Sequence, residues 1–82
     1  MSKYEKCVGS FLAMVENNTT LYSVELKLKV FFKTIESLMD YEEIVLLIQM
    51  ILKEFKGSES IRNYLELKLD IYRTFINVNV TI

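Results

Sequence analysis

Glu25-Leu26-Lys27-Leu28 recurs as Glu66-Leu67-Lys68-Leu69, an offset of 41 residues in a chain of 82. A repeat at half the chain length predicts two copies of one unit, 1–41 and 42–82. Both belong to a single domain, 1–82, because a chain this short supports only one core. Whatever occupies one half is expected to have a counterpart in the other.

The first half opens on Tyr4, Cys7, Val8, Phe11, Leu12 and Val15, the i, i+3, i+4, i+7 spacing of a helix. Asn17-Asn18-Thr19-Thr20 then reads as a turn. In the second half 41–55 reads as a helix, and Gly57-Ser58-Glu59-Ser60 breaks it at the matching place. Gly57 suits a left-handed residue past a helix end, and Ser58 or Ser60 suits the next N-cap.

The two repeated segments are harder to assign. Residues 24–30 and 65–71 alternate apolar and polar side chains, which is the strand template. A longer series points the other way. Leu21, Val24, Leu28, Phe31, Ile35 and Leu38 step by three and four, and Leu65, Leu69, Tyr72 and Ile76 repeat that series in the second half. Leu, Glu and Lys are good helix formers, and Glu25 with Lys29 makes a favourable i, i+4 pair. The chain has two glycines and no proline to build the tight turns of a small sheet. Helix is the preferred reading for both. The tail from Ile76 to Ile82 alternates and is rich in β-branched residues, so it is read as a short strand or a frayed end. The expected fold is all-α: a small four-helix bundle built from two similar helical hairpins, with mostly antiparallel neighbours.

Several chemistries are excluded by what the chain lacks. It has no histidine, no tryptophan and one cysteine, Cys7. That rules out a histidine-based triad, a zinc site with histidine ligands or four thiolates of one chain, and an internal disulfide. Cys7 is read as a small, buried apolar residue. No glycine-rich phosphate loop and no nucleophile with a base is evident, so neither enzyme activity nor a cofactor is expected. The formal net charge of −1 is not the footprint of a general nucleic-acid binder. The longest apolar run, 44–48, is far short of a membrane span. The start of the chain, with Glu5 and Lys6, does not read as a signal peptide, and the sequons at Asn18 and Asn79 are taken as accidental. A cytoplasmic location follows from these readings, in the host cytoplasm if the source is viral. Eight lysines against two arginines, a single alanine and abundant Ile, Asn, Tyr and Phe indicate AT-rich coding. Low-GC bacteria, their phages and several virus groups share that bias.

Three places could carry function. Residues 41–55 are apolar on nearly every side, and an 82-residue bundle has little interior in which to hide such a helix. Tyr41, Ile44, Leu47, Ile48, Ile51 and Phe55 are therefore the expected interface, for a homodimer or larger assembly and for an unidentified partner protein. Glu36, Asp40, Glu42 and Glu43 form an acidic group, read chiefly as helix-start residues favoured by the helix dipole. Lys27, Lys29 and Lys33, with Arg62, Lys68 and Arg73 on the counterpart segment, form a candidate basic strip diluted by Glu25, Glu66 and Asp70. The expected function is a non-enzymatic protein–protein interaction module: a homodimeric phage, viral or mobile-element accessory factor, such as an inhibitor or immunity protein. The alternatives are a small dimeric nucleic-acid-binding regulator and a binder of nucleotides or small ligands at a subunit interface.

Overall fold

The computed structural model describes residues 2–16 and 21–80, with side chains as far as Val78. Four helices follow one another: α1 (Lys3–Val15), α2 (Leu21–Leu38), α3 (Tyr41–Glu54) and α4 (Glu59–Val80). The described residues contain no strand. The turn expected at 17–20 lies outside the described residues, as do Thr81 and Ile82. The alternating tail is helical as far as Val80. Its Asn and Val residues have poor helix propensity, but they continue a long helix whose earlier turns are packed against the core.

Each helix start is capped by a short polar side chain. Ser2 Oγ accepts the Glu5 amide at 3.2 Å at the start of α1. Asp40 and Glu43 form a reciprocal capping box at α3: the Glu43 amide donates to Asp40 Oδ1 at 2.9 Å, and the Asp40 amide to Glu43 Oε1 at 3.2 Å. Ser58 Oγ accepts the Ile61 amide at 3.3 Å at the start of α4. Ser60 serves a different helix, its Oγ accepting the Leu21 amide at the head of α2. Gly57 does not take the left-handed conformation expected of it, since no glycine has a positive φ. The helix ends instead on Phe55 in an extended conformation. The glycine leaves room: a Cβ there would lie 2.5 Å from Phe55 Cζ.

Side-chain contacts give the helix directions. Arg62 Nη2, near the start of α4, donates to the Phe55 carbonyl at 2.6 Å and the Leu52 carbonyl at 3.3 Å, at the end of α3. At the other end Tyr41 packs on Tyr72 and Phe75, so α3 and α4 run antiparallel. The starts of α1 and α3 meet through Tyr4 and Glu43, and their ends through Phe11 and Phe55, so these two run parallel. α3 touches all three other helices and packs most extensively on α4. α2 touches α1, α3 and α4, whereas α1 and α4 do not meet. The α1/α2 seam is much slighter than the α3/α4 seam, so the two hairpins are unequal.

The core runs through all four helices: Val8, Phe11 and Val15; Val24, Leu28, Phe32 and Ile35; Ile44, Leu47, Ile48 and Ile51; Ile61, Leu65, Leu69 and Tyr72, with Met39 and Phe55 from the connections. In α2 the buried member is Phe32 rather than Phe31, and Leu38 is exposed. A strict 3.5-residue seam suits a supercoiled helix, whereas a straight one turns every 3.6 residues and drifts off it. The buried series 24, 28, 32, 35, 39 follows that drift. Eight of the ten aromatic residues form a connected run of ring contacts, from Phe55 through Phe11, Phe31, Phe32 and Tyr72 to Tyr41 and Phe75, with Tyr64 beside Phe32.

Candidate functional site: apolar outer faces of α2 and α4

The helix expected to be the interface is the centre of the core. Ile44, Leu47, Ile48 and Ile51 are fully buried and Phe55 nearly so, all within one chain. Only Tyr41 of that group reaches the surface. Within one chain the other five side chains are therefore packed inward rather than presented outward. Three helices pack on α3, while its fourth side, Leu46 and Met50, is left partly open.

Most of the unburied apolar surface lies elsewhere, and the repeated tetrapeptide marks it. Leu28 and Leu69 point into the core, while Leu26 is 77% exposed and Leu67 59% exposed. Two residues along a helix is a rotation of about 200°, so alternation on a helix places apolar groups on opposite faces. Val24 and Leu28 are buried, and Leu26 and Val30 are exposed. Leu65 and Leu69 are buried, and Leu67 and Ile71 are exposed. The pattern that imitates a strand is therefore the signature of helices with two apolar faces.

On α4 the outer series continues through Phe75 and Val78, giving an exposed ridge at i, i+4, i+8 and i+11. The Tyr41 ring lies against Phe75 with centroids 5.4 Å apart, so the aromatic run of the interior surfaces at this ridge. On α2 Tyr22, Leu26 and Val30 form the outer series. Leu26 and Val30 border a groove between α1 and α2, about 420 Å³, completed by Ser10, Met14, Lys27 and Phe31. A wider depression between α1 and α3 has an apolar floor of Val8, Leu12 and Met50 and a rim of Glu5, Lys53, Glu54 and Lys56.

The basic residues do not form one strip. Lys27 and Lys29 lie on opposite sides of α2, since two residues turn the helix by about 200°. Lys27 borders the α1/α2 groove, whereas Lys29 pairs with Glu25 at 3.6 Å. Lys33 is exposed one turn beyond Lys29. Lys68 lies over the Phe32 and Tyr64 rings, 5.3 and 5.7 Å from their centroids, and Arg73 is about 140° further round α4. Arg62 caps the end of α3.

Three of the four acidic residues, Glu36, Asp40 and Glu43, have structural partners. Asp40 and Glu43 cap α3, and Glu36 accepts the Tyr72 hydroxyl at 2.5 Å. Lys3 donates to Glu43 at 2.6 Å and Tyr4 does so at 3.0 Å. Those bonds, with that from the Asp40 amide, hold the Glu43 carboxyl below its ordinary range. Burial, reinforced by the bond to Glu36, pushes the Tyr72 phenol well above its ordinary value. Among the described residues no group of three or more potential ligands could hold a metal ion. Cys7 is a free thiol, partly buried against the core. No helix in the described residues is long and apolar enough to cross a membrane.

No protein-family model, curated protein or solved structure matches the chain.

Proposed function

We propose that the chain is a non-enzymatic protein–protein interaction module that docks through the apolar outer faces of α2 and α4. One observation carries this reading: leucine, valine, isoleucine and phenylalanine recur at helical spacing on the solvent side of helices whose inner sides are already buried. Scattered apolar residues are ordinary on a surface, but aligned series mark an association face. Burying Leu67, Ile71, Phe75 and Val78 would free roughly 25 cal/mol for each Å² withdrawn from water. Tyr41 and Phe75 supply the aromatic anchors favoured at interfaces. The inhibitor or immunity role belongs to the same reading, since a chain without a reactive constellation acts by occupying another protein's surface.

The test is equilibrium capture. Immobilised chain should retain a protein at a fixed stoichiometry, either itself or another chain from its source cells. Leu67→Glu with Ile71→Glu should release that protein while the helical circular dichroism stays unchanged. Retention of nothing by the parent, or equal retention by the double variant, refutes the reading.

A further inference from the structure

We propose that the α1/α2 groove is filled by a second copy of this chain, which inserts its α4 ridge of Leu67, Ile71, Phe75 and Val78. This rests on the reading that the outer apolar faces are docking surfaces, and it names the occupant. Three observations carry it.

The first is shape. The groove is shallow and its lining is mostly apolar, with Lys27 as its only charged member. The ridge is convex, and the eleven steps from Leu67 to Val78 span about 16 Å of helix.

The second is placement. α2 touches both α1 and α4, while α1 and α4 do not meet. The groove lies on the α1 side of α2 and the ridge on the helix across it, so a chain cannot fill its own groove. Each copy offers one groove and one ridge. Joining unlike faces is a heterologous contact, which closes into a ring or continues as a filament.

The third is charge. Lys27 at the groove has no ion-pair or hydrogen-bond partner among the described residues. Glu66 and Asp70 lie together along one side of the ridge, with Lys68 on the other, and their carboxylates likewise have no partner among the described residues. Inserting the ridge with its acidic side toward α2 brings Glu66 and Asp70 to Lys27, which steers the encounter and sets its orientation. An antiparallel two-fold pairing of two α4 ridges would instead set the acidic flanks side by side. Pairing two grooves would bring lysine to lysine.

The experiment is complementation, read as solution mass by light scattering across a concentration series. The parent should rise with concentration from the 9.7 kDa of one chain to beyond a dimer. Leu26→Glu loses the groove and Leu67→Glu loses the ridge, and each alone should stay monomeric. Their equimolar mixture retains one intact groove and one intact ridge, and should stop at a one-to-one dimer. Both residues are more than half exposed, so the fold should survive. Val30→Lys and Ile71→Lys, checked by circular dichroism, repeat the design with different side chains. A parent that is monomeric throughout overturns the proposal, as does a single-face variant that associates as the parent does, or a mixture that stays monomeric beside an associating parent. A monomeric parent that still captures a different protein through these faces removes the second copy and leaves the docking function standing. A monomeric parent that captures nothing removes both. Lys27→Glu and Asp70→Lys should each weaken association by up to roughly fivefold, the size of an exposed ion pair. Combining them in one chain should restore it, and failure to do so overturns the pairing.

Discussion

Replacing Ile48 by alanine separates a core role for α3 from an interface role. Ile48 is fully buried in a single chain, on the helix that contacts all three others. The substitution removes three carbons, worth about 2.4 kcal/mol at about 0.8 kcal/mol per buried methylene. The neighbours are rigid parts of the same core and close the space only partly, so the cavity brings the loss to about 3–4 kcal/mol. A chain of this length has a total stability of about 4–12 kcal/mol, so the variant should be severely weakened yet measurable. Its melting temperature should fall by about 12–30 °C. The assay is urea unfolding followed by circular dichroism at two protein concentrations tenfold apart, with Leu46→Ala as control. Leu46 is 54% exposed, and its loss should stay within about 0.5 kcal/mol. The difference between Ile48→Ala and the parent should be equal at both concentrations. A loss below 1 kcal/mol, or one that appears only where chains associate, would show that α3 packs against another molecule and would refute the reasoning.

Asp40→Ala removes the side-chain half of the α3 capping box, the bond from the Glu43 amide, and should lower stability by about 1 kcal/mol in thermal melts. An unchanged melt would mean that the cap is empty of energy. Gly57→Ala should cost about 1–3 kcal/mol, because the added methyl must displace the buried Phe55 ring; a stabilised variant would show that the turn has room to spare. Tyr72 gives a pH dependence whose sign is fixed. Folding raises its pKa, so the folded state holds a proton that the unfolded state releases. That contribution is complete below about pH 10, the ordinary tyrosine value, and is lost as pH rises above it. Tyr72→Phe should therefore flatten the alkaline decline in stability, and an unchanged decline would assign it to other groups.

Helix positions and inner faces were legible because burial imposes a period: Val8, Phe11 and Val15, or Ile44, Leu47, Ile48 and Ile51, leave no other reading. The alternating segments were ambiguous because two apolar faces on one helix imitate one apolar face on a strand. Leu26 and Leu67 decide between them only when seen exposed beside buried Leu28 and Leu69. The enclosure of α3 within its own chain was not legible because hydrophobicity measures the wish to be buried and says nothing about what buries it. Enclosure depends on packing order, which single-chain periodicity does not encode. The basic strip dissolved for a similar reason: Lys27 and Lys29 are neighbours in sequence and opposites on a helix. The role of Gly57 was hidden because it concerns a ring two residues away rather than the glycine's own backbone.

The central place of α3 also sets when the chain can fold. During synthesis α1 and α2 emerge first, and their mutual seam is slight. α3 follows with Ile44, Leu47, Ile48 and Ile51 on one side, and most of its covering surface comes from α4, the helix made last among the four. Until α4 is available the nascent chain therefore exposes its most apolar segment to the cell. Burial then comes as one late event instead of growing helix by helix. Fragments ending near Glu54 should remain unfolded by circular dichroism, and a cooperatively melting fragment would show that the first three helices suffice.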